Sequence, residues 1–281
     1  MGIAHPTREI HVGVGLARGL NFANIAWTKP APNNELFIVV LNGLPYQLNS
    51  MSTLILIRHG QSIWNAANKF TGWVDVPLSK RGRAEAVCAA FKIGAYEIDV
   101  CFTSLLIRAI ETAVICLTEC EGVCMGKSPI LKHGKDDPQW HDWDRYEGDR
   151  AQELPIFPSA ALDERYYGDL QGLDKAETAA KFGEARVAAW RRSFSDRPPH
   201  GESLEDTMRR TLPFFRDRIF QHLLQGDNVL VAAHGNSLRS IIMELDNLSA
   251  AEVPNLELAT GVPIAYEIDR TGQVTHKQIL S

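Results

Sequence analysis

Leu54-Ile55-Leu56-Ile57-Arg58-His59-Gly60-Gln61-Ser62 reads as a buried strand that ends in a tight turn. Four consecutive apolar residues suit a strand covered on both faces, as in a parallel sheet. Arginine, histidine and glycine follow at once, and Ser62 precedes a helix expected from about Ile63. Strand, turn and helix in that order place a polar group at the carboxyl end of a strand, where open α/β sheets bind ligands. An imidazole there, beside a permanent cation and the free N–H groups of a helix start, suits phosphate. Neutral imidazole is a nucleophile near neutral pH, so His59 could attack phosphorus itself.

The same pattern returns near the other end. Val229-Leu230-Val231-Ala232-Ala233 reads as a second buried strand, followed by His234-Gly235-Asn236-Ser237 before a helix. Two such corners can bring two imidazoles to one edge of one sheet. Between them the chain alternates. Ser79 is expected to cap a helix packing through Ala84, Val87, Cys88 and Phe91. A strand is expected over 99–103, and Ser104 should cap a helix reaching about Glu119. The Gly-, Pro-, Asp- and Trp-rich stretch at about 122–160 reads as a surface insertion. One helix is expected from Asp174 to about Ser193. Ser203-Leu204-Glu205-Asp206 forms a capping box ahead of the stripe Leu204, Met208, Leu212, Phe215, Ile219 and Leu223, kinked at Pro213. Segments 262–268 and 274–279 read as a terminal hairpin.

The chain has 281 residues and a formal net charge of −5, which argues against nucleic-acid binding driven by bulk charge. Its apolar runs are too short to span a bilayer. Five cysteines in a chain this long do not make a disulfide scaffold, and a reduced, cytoplasmic protein is expected. Cys116, Cys120 and Cys124 share a helical face with His133 and His141 following; small apolar contacts are favoured there over a metal site. Residues 1–50 read as a disordered extension or an upstream start before Met51, with 51–281 as the catalytic domain.

Phosphoryl transfer needs a positioned nucleophile, cations for the phosphoryl oxygens and a proton source for the leaving oxygen. His59 supplies the first and Arg58 one clamp. Arg108, a turn into its helix, can offer a bidentate guanidinium. His234, Gly235 and Asn236 can donate to the anion, and Glu164, its pKa raised by partial desolvation, is the acid candidate. No Walker-type loop or acidic metal cluster accompanies them, so no metal is expected. Each residue alone has a commoner structural role: a lone histidine after a strand packs, and Arg191-Arg192 would coat a solvated face. Their co-occurrence in one α/β frame carries the reading.

Taken in order, these motifs resemble the histidine phosphatase superfamily and, within it, the 2,3-bisphosphoglycerate-dependent phosphoglycerate mutases. Arg58-His59-Gly60-Gln61-Ser62-Ile63-Trp64-Asn65 is similar to the opening motif and Phe70-Thr71-Gly72-Trp73 to the substrate loop. Thr103-Ser104 with Arg108-Ala109-Ile110, Glu164-Arg165-Tyr166-Tyr167-Gly168, Gly172 to Thr178, Trp190-Arg191-Arg192, Ala232 to Arg239 and Thr260-Gly261-Val262-Pro263 follow in family order. The resemblance implies a three-layer α/β sandwich with a mostly parallel central sheet and helices on both faces. It implies interconversion of 2- and 3-phosphoglycerate in glycolysis and gluconeogenesis, primed by 2,3-bisphosphoglycerate. By it His59 carries the phosphoryl group, Glu164 exchanges protons, and Arg58, Arg108, His234 and Asn65 hold the phosphoryl group. Ser62, Thr71, Gly72, Gly235 and Asn236 contact substrate, while Tyr167, Lys175, Arg191 and Arg192 hold its far end.

Three features depart from the family pattern. Gln61 stands where many members carry Glu, the link from Arg192 to Glu202 is short, and the chain stops at Ser281 without the tail that covers many sites. The last implies some bisphosphoglycerate phosphatase activity, since a poorly covered phosphohistidine meets water. Partners are then small phosphoglycerates, with no nucleic acid and no membrane, and a homodimer or other homo-oligomer is left open. The competing readings are a phosphatase of the same fold acting on small phosphomonoesters and a catalytically silent binding protein.

Overall fold

The structure is a computed structural model that describes residues 26–28, 38–41, 44–47, 51–132 and 149–281. The chain divides into two units, Met1–Met51 and Ser52–Ser281. In the first, β1 (Ala26–Thr28), β2 (Ile38–Leu41) and β3 (Leu44–Gln47) form an antiparallel sheet. The rest of the segment expected to be disordered lies outside the described residues.

The second unit runs β4 (Ser52–Arg58), α1 (Ile63–Ala66), α2 (Lys80–Lys92), β5 (Val100–Thr103), α3 (Ile107–Thr118), α4 (Glu121–Cys124), β6 (Ser128–Leu131) and β7 (Glu153–Pro158). It continues through α5 (Lys175–Phe182), α6 (Glu184–Arg192), α7 (Leu204–Phe214), α8 (Phe220–Gln225), β8 (Val229–Ala233), α9 (Gly235–Leu245), β9 (Pro263–Ile268) and β10 (Val274–Ile279). The sheet order is β10-β9-β4-β8-β5-β7-β6. Strands β4 to β8 pair in parallel, whereas β9 is antiparallel to β4 and to β10, as the hairpin expectation required.

Alternation along β4 explains the two cores. Leu54 and Leu56 pack with Phe102, Val231, Phe215 and Ile241 on one face, beneath α7 to α9. Ile55 and Ile57 pack with Cys101, Leu230, Ala113 and Leu117 on the other, beneath α2 to α4. Each of these side chains is buried, the Leu, Ile, Val and Phe side chains contributing about 1.5–3 kcal/mol apiece. The three-layer sandwich is as expected. Burial raises the Cys101 thiol and pushes that of Cys116 up to about 12, so these cysteines act as apolar packing. Among the described residues no cluster of His, Cys, Asp or Glu is arranged to hold a metal and no helix is long and apolar enough to cross a membrane; His133 and His141 lie outside them.

Four local expectations are corrected. Helix α2 packs through Gly82, Ala86, Ala89 and Ala90, and Phe91 is 66% exposed. Small residues win because the helix start sits directly on the turn after β4: a Cβ on Gly60 would lie 2.2 Å from the Gly82 carbonyl oxygen. Ser104 does not cap α3, which starts three residues later behind Leu106. Carboxylates from elsewhere serve those amides, Ile107 N–H donating to Asp75 (2.7 Å) and Leu105 N–H to Asp163 (2.9 Å).

The stretch at 122–160 is not simply a surface insertion. Its β6 and β7 complete the sheet and bury Leu154 and Ile156. Prolines 129, 155 and 158 disguise these strands, and Pro129 is tolerated because β6 is an edge. The single helix expected over 174–193 is two, broken at Gly183 with φ +92°, a conformation glycine adopts freely. The capping box at Ser203 and Asp206 forms as expected, and the turn after Pro213 widens into a π-helix over Phe215–Ile219.

Candidate active site

Registry between adjacent parallel strands builds the centre. Arg58 on β4 lies opposite Ala233 on β8, and the His59 N–H donates to the Ala233 carbonyl at 2.9 Å. The residues that follow, His59 and His234, therefore leave the sheet side by side with ring centroids 5.0 Å apart. Both are buried. Burial, then the nearby Arg108 and other cationic neighbours, holds each imidazole well below its usual pKa, so each is neutral at neutral pH. The carbonyl of Gly60 lies 2.7 Å from His59 Nδ1 and fixes the proton there, which leaves Nε2 with its lone pair. Ser104 Oγ accepts the Leu106 N–H and sits 2.7 Å from His234 Nε2.

Arg58, His59, Asn65, Thr71, Gly72, Arg108, Glu164, Tyr167, Lys175, Arg191, Arg192, Gly235 and Asn236 line one pocket. All were singled out from sequence. Ser62 and His234 are not among the lining residues, though the His234 ring lies 5.0 Å from that of His59. The buried Ser62 hydroxyl accepts the Asn65 N–H while Asn65 Oδ1 accepts the Ser62 N–H, which leaves the Asn65 amide hydrogens for a ligand. Arg108 differs from expectation. Its NH1 and NH2 donate to the carbonyls of Val74 (3.0 Å) and Gly72 (2.7 Å), so its fork fixes the 70–74 loop. Burial lowers its pKa to about 10, which leaves it cationic. Among the described residues Arg58 Nε, Arg108 Nε, Thr71 Oγ1 and His234 Nδ1 are buried without a hydrogen-bond partner, a cost that anionic oxygens would remove.

Glu164 also differs from expectation. Burial does push its pKa up, but the hydrogen bonds from Arg165 N–H and Asn236 and the charges of Arg58 and Arg108 outweigh it, and the net shift is down. Oε1 accepts all three bonds, from Arg165 N–H (2.8 Å), Asn236 N–H (3.2 Å) and Asn236 Nδ2 (2.7 Å). Oε2 is left for proton exchange. The backbone of Glu164 is tied in turn, its carbonyl accepting Trp73 Nε1 (2.5 Å) and Arg210 NH2 (2.9 Å).

The neighbouring Asp163 is the opposite case. Burial raises its pKa to about 6 against the Leu105 N–H bond and the pull of Arg210 and Arg108. A raised carboxyl pKa stabilises the fold below the unfolded value near 4, and that contribution is lost as pH rises through about 6. Asp163→Asn keeps an acceptor for Leu105, so it is expected to gain about 1–2 kcal/mol at pH 8 and nothing at pH 4. Urea unfolding at the two pH values checks this.

At the other end of the pocket Arg165 organises the cations. Its NH2 donates to the Tyr167 hydroxyl (3.1 Å) and the Arg191 carbonyl (2.9 Å). Burial, followed by the charge of Arg191, lowers the Lys175 pKa. Lys69, Phe70, Arg239 and Glu257 also line the pocket and were not assigned to it from sequence. Arg239 was findable, since it sits one helical turn beyond Asn236. Glu257 carried no local signal.

Histidine phosphatase superfamily (branch 1) matches residues 54–132 and 147–278. The 2,3-bisphosphoglycerate-dependent phosphoglycerate mutase 1 of Gloeobacter violaceus is 68% identical over 82% of this chain and 100% of its own length. The 2,3-bisphosphoglycerate-dependent phosphoglycerate mutase of Gloeothece citriformis is 66% identical, with the same coverage. The solved mycobacterial glucosyl-3-phosphoglycerate phosphatase superposes with a TM-score of 0.62 over 81% of this chain and 97% of its own, at 23% identity, a likeness of fold. By family match and by identity across the whole length of its relatives, the chain belongs to the histidine phosphatase superfamily, branch 1, and within it to the 2,3-bisphosphoglycerate-dependent phosphoglycerate mutases.

Proposed function

We propose that the chain interconverts 2-phosphoglycerate and 3-phosphoglycerate through a phosphohistidine at His59, primed by 2,3-bisphosphoglycerate. The observation that carries this is the pair of neutral imidazoles 5.0 Å apart, in a pocket whose lining continues to Lys175, Arg191 and Arg192. Hydrolysis of a monoester needs only the first half of that arrangement. A ligand with an anion at each end uses both.

Arg58 Nε, Arg108 Nε and His234 Nδ1, unpartnered among the described residues, fit the oxygens of bisphosphoglycerate, which when bound supplies the phosphoryl group that charges His59. His59 Nε2 forms the N–P bond as the ester P–O bond breaks, and Glu164 Oε2, which takes up a proton from solvent as the bound phosphates offset the Arg58 and Arg108 charges, gives that proton to the leaving oxygen. On return, ionised Glu164 takes a proton from a substrate hydroxyl, which attacks phosphorus while the N–P bond breaks and its electron pair returns to Nε2. Glu164 held ionised is the correct resting state for this cycle: the charged enzyme first needs a base, and the proton then waits on Oε2 while both phosphates are present. Arg58, Arg108, Asn65 and His234 hold the transferring group, and the backbone and side-chain donors of Thr71, Gly72, Gly235 and Asn236 steady the rest.

One assay tests the reading: mutase turnover with and without bisphosphoglycerate, run alongside phosphate release. Turnover that depends on bisphosphoglycerate, exceeds phosphate release and survives a metal chelator is expected. Phosphate release with no isomerisation would replace the reading with a phosphatase.

A further inference from the structure

Among seven cationic side chains that line the pocket, Arg192 alone is ion-paired among the described residues. Its partner is Glu257, at 2.7 Å. A carboxylate on the rim of an anion pocket opposes its ligand, and the chain around Glu257 holds it there. Three arginines from three elements donate to alternate carbonyls of that segment: Arg192 NH1 to Pro254 (3.4 Å), Arg239 Nε to Leu256 (2.9 Å) and Arg58 NH1 to Leu258 (2.8 Å). The backbone is thus pinned on both sides of Glu257. Glu257 is 74% exposed and Arg192 43%, so the pair itself adds little to stability.

Building on the mutase reading, we infer that Glu257 sets the preference between ligands by their charge at the far end. It does so by repelling, beside Arg192, a second phosphate more strongly than a carboxylate. With one phosphoryl group beside His59, a monophosphoglycerate presents mainly a carboxylate there, whereas bisphosphoglycerate adds close to two further negative charges. Repulsion across a partly exposed rim scales with that charge. Glu257 therefore weakens retention of bisphosphoglycerate relative to the monophosphates, so that the doubly phosphorylated ligand primes His59 without occupying the site.

The test is equilibrium binding of bisphosphoglycerate and of 3-phosphoglycerate to the full chain and to Glu257→Gln, at low and at about 0.5 M salt. Glu257→Gln should bind bisphosphoglycerate about three- to tenfold tighter and 3-phosphoglycerate less than about twofold tighter, with the difference shrinking at high salt. Equal tightening of both ligands, weaker binding of either, or a difference indifferent to salt would overturn the inference and make Glu257 a support for Arg192. Turnover is not part of this readout. A wild-type chain that binds both ligands but does not isomerise would refute the mutase reading and leave the binding comparison standing.

Discussion

Alanine in place of His59 is expected to reduce mutase turnover at least about ten-thousandfold, with no phosphoenzyme formed from bisphosphoglycerate. The neighbouring His234 cannot substitute. Its Nε2 is engaged by Ser104 at 2.7 Å, and it is not among the residues that line the pocket. The fold should survive, because the β4–β8 ladder and the His59 backbone bond to Ala233 do not depend on the ring. Stability gives an independent check. Burial and the Arg108 and Arg58 charges depress the His59 pKa, so the folded state resists protonation and wild-type stability falls as pH drops below about 6.5. Removing one such ring should make the variant less sensitive to acid in that window, by urea unfolding at pH 7.5 and 5.5. Retained turnover would mean that the nucleophile is misassigned.

The legible parts of this protein were those written in contiguous sequence. Strands β4 and β8 announce themselves as unbroken apolar runs because both faces are covered, and each hands its histidine to the same edge. Misreadings arose where a local pattern had two solutions. Ala84, Val87, Cys88 and Phe91 outweigh Gly82, Ala86, Ala89 and Ala90 in hydrophobicity, yet only the smaller set lets α2 sit on the Gly60 turn. Prolines in β6 and β7 read as loop, since their pairing partners lie far along the chain.

The candidate site follows the same rule. Residue types at strand ends and in motifs pointed to the pocket, and all but Ser62 and His234 line it. What each contributes electrostatically depended on long-range partners. Asn236 reaches Glu164 across 72 residues, and the fork of Arg108 is spent on the 70–74 loop. Burial of Glu164 could be guessed from sequence; the bonds that reverse its effect could not.

Those bonds make Glu164→Gln the second decisive experiment. Glutamine keeps the shape and can still offer an oxygen to Arg165 N–H and Asn236, which together hold Oε1, but it carries no exchangeable proton at Oε2. The expected result is a fall in kcat of about 10²–10⁴-fold with KM altered little, the usual scale for loss of a positioned proton carrier. Phosphohistidine should still accumulate from bisphosphoglycerate, only slowly, since the nucleophile and its cations are untouched; this separates the variant from His59→Ala. The wild-type acid limb of kcat/KM reports Glu164 in the free enzyme. That limb should be absent in the variant. A ligand whose anionic groups neutralise the Arg58 and Arg108 guanidiniums removes part of the force that keeps Glu164 ionised, so its pKa rises when the proton must be taken up. A kcat within about tenfold of wild type would show that another group moves the proton.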